Sequence, residues 1–145
     1  MSSFAQIVSM VADLWEKDAR QSVMFLGPPG IGKTALCKAI AAEMAARRNR
    51  PASDAVCEVL DLTSRLPEDM GGLPYREGNE ARYAAQAWAL RGAEKGAFGV
   101  ICLDDLPAAS PSVSAASRQL VLDRKLHDVV LSDQVGVIVT GNRAS

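Results

Sequence analysis

Hydrophobic positions in this chain follow two patterns, a helical spacing and short continuous apolar runs. Apolar residues that recur every three or four positions predict amphipathic helices, and apolar runs that end at glycine or aspartate predict buried strands. The predicted helices cover residues 4–15, 34–48, 81–96 and 111–126. The predicted strands cover residues 22–26, 56–62, the apolar part of 98–106, and 135–142. Residues 63–80 are predicted to form a loop with at most one helical turn, and residues 127–133 a short hairpin.

Strands and helices alternate throughout this order. Such alternation favours an α/β fold, because parallel strands need long crossovers and right-handed crossovers place helices on both faces of a sheet. We therefore expect a three-layer sandwich with a mostly parallel sheet of about four strands and an N-terminal helix.

Composition narrows the classes of function. The chain has 145 residues, 48% of them apolar, which suits one domain with a real core. The net charge of −1 gives no general attraction to nucleic acid or to an anionic membrane. The basic run at 47–50 ends a predicted helix, where cations complement the helix dipole. No signal peptide or membrane-spanning run is visible, so the cytoplasm is the expected compartment.

The cysteines have no pattern typical of chemistry. Cys37, Cys57 and Cys102 lie far apart, form no CxxC pair and have apolar neighbours. We expect small buried hydrophobic side chains rather than a metal site or a disulfide.

The stretch GPPGIGKT, residues 27–34, matches the phosphate-binding loop pattern in full. Glycines let backbone N–H groups approach a polyphosphate closely, and the following helix directs its N-terminal amides at the same anion. Lys33 would bring a positive charge to the outer phosphates, and the Thr34 hydroxyl is placed to ligate Mg²⁺. The predicted nucleotide-binding residues are Gly27, Pro28, Pro29, Gly30, Ile31, Gly32, Lys33, Thr34 and Ala35.

Two further strand ends carry polar residues. Asp104 and Asp105 follow the apolar run VICL, and Asn142 ends the run VGVIVTGN. Open α/β sheets bind ligands at the carboxyl ends of their strands. One aspartate there can hold the water shell of Mg²⁺ and a second can orient an attacking water. If the strand of Asn142 neighbours the first strand, its amide could contact the γ-phosphate of a bound nucleotide.

The order GPPGIGKT, LDDL, TGNR resembles that of the AAA+ ATPases, and in particular their MoxR-like branch from bacteria and phages. The segment DLTSRLPEDMGGLPY, residues 61–75, is similar to that branch's sequence after the second strand. The likeness covers about residues 20–143 and implies an N-terminal helix at 1–20 and a partial AAA+ core at 21–145. It implies ATP and Mg²⁺ as cofactors, a ring that is a hexamer in the complete protein, and remodelling of a partner, such as a protein with a von Willebrand factor A domain.

The resemblance also assigns roles to single residues. It implies that Thr34 and Asp104 hold Mg²⁺, that Asp105 takes the position of the catalytic glutamate, and that Asn142 is the sensor 1 residue. Residues near 71–73 and the hairpin around 127–132 fall where relatives place loops that face a central pore or a partner.

Two departures from the family pattern leave alternatives open. Asp105 is one carbon shorter than glutamate, so its carboxylate could fail to reach the water. The chain ends three residues after Asn142, before the arginine finger and the lid with sensor 2, which favours a fragment of a longer protein. Arg118, Arg124 and Arg143 are candidates for an arginine acting on a neighbouring subunit's nucleotide, against the commoner role of surface helix arginines.

Two other functions therefore remain. One is a nucleotide-gated binding module with negligible hydrolysis. The other is a small-molecule P-loop kinase, for which the arginines of residues 63–96 could serve a mobile lid. A role on nucleic acid is not expected, because no recognition helix or aromatic–basic platform is visible.

Overall fold

A computed structural model of the chain describes residues 4–27 and 32–142. In chain order the elements are α1 (Phe4–Asp18), β1 (Val23–Gly27), α2 (Lys33–Arg47), β2 (Val56–Asp61), α3 (Pro67–Gly71), β3 (Leu73–Glu77), β4 (Glu80–Ala84), α4 (Ala87–Ala93), β5 (Phe98–Asp104), α5 (Pro111–Asp123), β6 (Lys125–Leu126), β7 (Val129–Val130) and β8 (Gln134–Asn142). Short 3₁₀ turns at Ala52–Asp54 and Leu106–Ala108 complete the list.

Four strands form the central sheet in the order β1-β8-β5-β2, and every neighbouring pair is parallel. The two inner strands, β5 and β8, are the most apolar, as expected for strands that are covered on both faces. The predicted four-strand α/β fold is confirmed.

Helices α1 and α2 cover one face of the sheet. Ile40 and Met44 of α2 and Trp15 of α1 pack there against Phe98, Val100 and Cys102 of β5. The Trp15 indole lies flat over Gly136 of β8, where any Cβ would overlap its ring. Its Nε1 donates to the Gln21 carbonyl at 2.8 Å, so its polar atom is satisfied although the side chain is only 3% exposed.

Helices α3, α4 and α5 cover the opposite face. Met70, Trp88, Val113 and Leu120 pack there against the other side chains of the inner strands. The Trp88 Nε1 donates to the Asp69 carbonyl at 2.9 Å and thereby joins α4 to α3. Helices thus lie on both faces, as the crossover argument predicts.

The segment between β2 and α4 differs from the prediction. Residues 73–77 and 80–84 form an antiparallel hairpin, where the sequence suggested a loop to residue 80 and a helix from residue 81. The helix prediction is correct only for Ala87–Ala93. Alanines at 81, 84 and 85 favour a helix locally, but pairing with β3 holds residues 80–84 extended.

The end of α5 also lies earlier than predicted. The helix stops at Asp123 because Arg124 takes the left-handed conformation, with φ 57°, and its N–H bonds back to the Leu120 carbonyl. The predicted hairpin is present as β6 and β7, with His127 at φ 50° in the turn. Its first strand begins two residues before the predicted start.

Cys37 and Cys102 are buried free thiols in the α2–β5 interface, and Cys57 is half-buried on β2. A hydrogen bond with Cys37, together with burial, raises the pKa of Cys102 far above its usual range. The Cys102 thiol is therefore neutral, and both buried cysteines pack in the core as the sequence suggested. Among the described residues no helix is both long and apolar enough to cross a bilayer.

Candidate functional site

The carboxyl ends of the parallel strands gather the polar residues at one edge of the sheet. The last residue of β1, Gly27, stands opposite Asn142 of β8, and Asp61 of β2 stands opposite Asp104 of β5. The N-terminus of α2 opens at the same edge, because α2 follows β1 after a short loop. The sequence-predicted residues therefore come from four elements that meet in one place.

The predicted phosphate cradle is only partly described. Pro28, Pro29, Gly30 and Ile31 lie outside the described residues. Gly32 has φ 71°, a left-handed value that glycine adopts without strain, and its carbonyl accepts the Leu36 N–H at 2.9 Å. This bond makes Gly32 the N-cap of α2.

Lys33, Thr34 and Ala35 form the first turn of α2. This turn carries no acidic side chain, and the first N–H groups of a helix have no carbonyl partner within the helix, so the helix start offers an anion a positive end. Thr34 and Ala35 are exposed, whereas the Lys33 side chain is only 10% exposed. The helix start is thus open to solvent next to a largely buried cation.

Lys33 faces the first aspartate. Its Nζ lies 3.9 Å from Oδ1 of Asp104, whose side chain is 30% exposed. Water screens such a half-buried pair less than a surface pair. The main chain of Asp104 is held as well, because its carbonyl accepts the Leu62 N–H at 3.0 Å.

Thr140 joins the two aspartates. Its Oγ1 donates to Oδ1 of Asp104 and accepts the N–H of Asp105 at 3.0 Å. Asp105 has φ 65° and ψ 48°, the left-handed conformation that non-glycine residues seldom adopt, and it starts the 3₁₀ turn Leu106–Ala108. The consecutive aspartates therefore leave the strand in different directions. Sequence reasoning missed Thr140, although a hydroxyl two residues before a strand-end asparagine is a visible signal.

Asn142 lies where the sequence argument requires. It ends β8, and β8 pairs with β1 so that Asn142 and Gly27 are register partners. The condition that its strand should neighbour the first strand is met. Its side chain is outside the described residues, so its predicted contact with a phosphate stays a prediction.

The three candidate arginines differ. Arg124 is 8% exposed and donates to the carbonyls of Ser132, Val135 and Ala19, so it ties α5 to the chain around β8. Burial lowers the pKa of its guanidinium, which nonetheless keeps its charge. The suggestion that Arg124 acts on a neighbouring subunit is wrong, because its side chain is engaged inside its own domain. Arg118 is exposed on α5, and Arg143 lies outside the described residues.

The side chains at this edge of the sheet are of the types that bind a nucleotide together with Mg²⁺. Among the described residues no three histidine, cysteine or carboxylate side chains are grouped closely enough to hold a metal ion. One carboxylate and one hydroxyl, Asp104 and Thr34, are what Mg²⁺ takes from a protein when phosphates and water supply its other ligands. Lys33 and the start of α2 supply the positive charge that those phosphates need.

Comparison with known proteins agrees with this geometry. Residues 23–145 match the model of the "ATPase family associated with various cellular activities (AAA)". The chaperone protein ClpB of Rhodopirellula baltica is 29% identical over 110 residues, which is 74% of this chain and 12% of that protein.

Solved structures show the same fold. NtrX from Brucella abortus in complex with ADP superposes with a TM-score of 0.55 at 17% identity, over 99% of this chain and 30% of that one. PCH-2 of C. elegans superposes with a TM-score of 0.51 at 18% identity, over 98% of this chain and 37% of that one. The chain thus spans well under half the length of these relatives.

Proposed function

This chain belongs to the AAA family of ATPases, and we propose that its strand-end site binds Mg²⁺–ATP and hydrolyses it. The observation that carries the proposal is the meeting of Lys33, Asp104 and Thr140 beside the open N-terminus of α2. A cation, a metal-binding carboxylate and a helix start at one sheet edge are the parts that phosphoryl transfer to water requires. NtrX, a protein of the same fold, was solved in complex with ADP, which supports an adenine nucleotide as the ligand of this site.

Each predicted site residue has a role in this proposal. The loop at 27–32 and the first turn of α2 hold the phosphates by their amides, and Lys33 neutralises the outer phosphates. Thr34 and Asp104 hold the Mg²⁺ ion, which supplies charge neutralisation when bound.

Asp105 and Asn142 act on the attacking water. The water oxygen bonds to the γ-phosphorus while the bond between that phosphorus and the β–γ bridging oxygen breaks, and ADP leaves. Asp105 accepts the proton that the water releases. Asn142 orients that water. Lys33 already lies beside Asp104, so binding of a triphosphate replaces part of an existing charge pair rather than ordering a mobile side chain.

Beyond the chemistry, we propose that the protein couples the nucleotide cycle to remodelling of a protein partner. The likeness to the chaperone ClpB supports this coupling, and the segment at 61–75 favours a MoxR-like member. A ring with six subunits, a partner with a von Willebrand factor A domain and a cytoplasmic location complete the proposal. In it, residues 1–20 form an N-terminal helix attached to the nucleotide-binding core of 21–145.

A binding module without hydrolysis is the second candidate, because Asp105 is shorter than glutamate. The kinase alternative loses part of its support, because two of the four arginines in residues 63–96 are paired with carboxylates of this chain. Arg82 is paired with Glu77 and Glu80, and Arg91 is paired with Glu58, so these arginines are held within or next to their own elements. An acceptor lid would need them directed at a substrate.

Phosphate release from ATP by the purified chain tests the proposal. Lys33→Ala removes the phosphate-facing cation, and Lys38→Ala on the exposed side of the same helix is the matched control. We expect turnover in the parent and in Lys38→Ala, and a loss of about 100-fold or more in Lys33→Ala. Tight ATP binding without phosphate release in the parent would favour the binding module. Absence of both binding and release would refute the proposed function.

A further inference from the structure

We propose that Thr140 is a positioning residue for hydrolysis, because its one hydroxyl sets the orientation of both Asp104 and Asp105. The inference rests on the proposed function, since it concerns the same site. It goes beyond that function by naming a residue that belongs neither to the phosphate loop nor to the strand-end aspartates, and by assigning it a task that can be measured without nucleotide.

The direction of the two hydrogen bonds is fixed by chemistry. The Asp105 N–H can only donate, so the Thr140 oxygen must accept it, and the bond is 3.0 Å long. The single hydroxyl proton is then left for Asp104 Oδ1, which as part of an ionised carboxylate can only accept. Because Thr140 is 2% exposed, a valine of the same shape would fill the place of its hydroxyl and leave no room there for a bridging water.

Each of the two hydrogen bonds stabilises a different part of the site. The bond to Oδ1 holds the Asp104 carboxylate in one rotamer, with the same oxygen directed at Lys33 Nζ. The bond from the Asp105 amide helps to keep that residue in its left-handed conformation at φ 65°, which sets where the Asp105 side chain leaves the main chain. A single atom of β8 thereby determines where two carboxylates of β5 and its following turn can point.

The position of Thr140 on β8 adds a third connection. Thr140 is the register partner of Phe25 on β1, and it lies two residues before Asn142, the end of the same strand. Strand β8 lies between β1 and β5, so it is the element that borders both the phosphate loop and the aspartates. The strand therefore sets the spacing between the predicted metal ligand and the predicted water-orienting amide.

The test compares Thr140→Val with Thr140→Ser in the full chain. Valine keeps the shape and removes the hydroxyl, whereas serine keeps the hydroxyl. Ser117→Ala is the matched control, because Ser117 is another fully buried hydroxyl but donates to the Val113 carbonyl within α5, away from the site. The first readout is the rate at which the Asp105 amide hydrogen exchanges with solvent, which NMR measures in the nucleotide-free protein. The second readout is a pair of measurements on each variant, the ATP turnover rate and the affinity for Mg²⁺–ATP.

We expect the Asp105 amide to exchange about 10-fold faster or more in Thr140→Val and to stay protected in Thr140→Ser and Ser117→Ala. Turnover should fall about 10- to 100-fold in Thr140→Val, since small misplacements of catalytic groups have effects of this size. Nucleotide affinity should change by less than about 3-fold, which distinguishes lost positioning from lost binding. Serine should restore most of the turnover.

Three results would overturn the inference. They are an unchanged Asp105 amide in Thr140→Val, turnover in that variant equal to the parent's, or an equal loss of turnover in Ser117→Ala. If the parent turns over ATP normally while any of these holds, Thr140 has no positioning role and the proposed function stands. If neither the parent nor Ser117→Ala exceeds Lys33→Ala in ATP turnover, the proposed function itself fails and the role of Thr140 in hydrolysis falls with it.

Discussion

Two regions of this molecule contrast in how they are built, the strand-end site and the hairpin surface. The strand-end site comprises Lys33, Asp104, Asp105 and Thr140 at the carboxyl edge of the sheet. The hairpin surface comprises β3–β4 and β6–β7, which are two-stranded ribbons outside that sheet. The site is fixed by hydrogen bonds to buried strands, whereas every residue of β3 and β4 is exposed.

The two hairpins contact each other through few groups. The Tyr83 and His127 rings stack with centroids 3.8 Å apart and an interplanar angle of 4°. A Cβ on Gly71 would lie only 2.7 Å from His127 Nε2, so α3 closes over the same ring. Regions with few buried contacts open at low free energy, while core strands open only with the whole domain. The difference teaches that a strand-end site held by buried strands and an exposed β3–β4 ribbon can share one domain.

The largest effect should come from breaking the strand-end site alone. Asp104→Asn removes the charge that faces Lys33 and the predicted metal ligand, so ATP turnover should fall about 100- to 1000-fold. Asp128→Asn makes the same change in the exposed turn of the β6–β7 hairpin and should leave turnover within about 2-fold of the parent. Phosphate-release assays on both variants measure this. Equal losses in both would remove the contrast between the two regions.

The next effect concerns the length of the second aspartate. Asp105→Glu should raise turnover about 10-fold, because the longer side chain brings its carboxylate closer to the attacking water. Asp105→Asn should remove the turnover that remains. The steady-state rate of phosphate release at saturating ATP measures both. Parent-like rates in both variants would show that Asp105 has no catalytic role.

A smaller effect on stability should separate the hairpin surface from the core. Gly72 has φ 89°, and a Cβ there would overlap the Ala84 carbonyl, so Gly72→Ala should release the β3–β4 hairpin. Gly78→Ala is the milder comparison, since Gly78 also has a left-handed φ of 62° but has open space around it, so alanine there adds backbone strain without a clash. Hydrogen exchange should show a larger loss of protection at 73–84 in Gly72→Ala than in Gly78→Ala. ATP affinity should stay unchanged in both, and a loss of affinity in Gly72→Ala would mean that the hairpin supports the site.

The smallest effect should come from the ring stack. A double-mutant cycle of Tyr83→Ala and His127→Ala should give a coupling free energy of about 0.5–1.5 kcal/mol, the usual size for aromatic pairs. Urea unfolding of the parent, the two single variants and the double variant measures it. A coupling near zero would show that the two hairpins are energetically independent in spite of their contact.

The sheet and the site edge could be predicted because their signals are continuous and local. Apolar runs, the glycine-rich loop and aspartates at a strand end each follow directly from burial and from phosphate chemistry. The register that places Asn142 opposite Gly27 then follows from the parallel sheet. Two tertiary details could not be read from the sequence, the left-handed backbone of Asp105 in the site and the buried contacts of Arg124 in the core.

The β3–β4 hairpin was missed for a different reason. Its strands are exposed on both faces, so no alternation of apolar and polar residues marks them. The alanines of 81–85 then favoured a helix by local propensity. One signal was present, the pair Gly78-Asn79 between two register partners, Glu77 and Glu80, because glycine and asparagine suit a two-residue hairpin turn.

The most direct test of the account is calorimetric titration of the chain with a non-hydrolysable ATP analogue, with and without Mg²⁺. The account predicts saturable one-site binding that Mg²⁺ strengthens, that Lys33→Ala weakens about 10-fold or more, and that the Tyr83→Ala, His127→Ala double variant leaves unchanged. Absence of binding heat with Mg²⁺ present, or equal affinity in the parent and Lys33→Ala, would contradict the claim that the strand-end site is a nucleotide site.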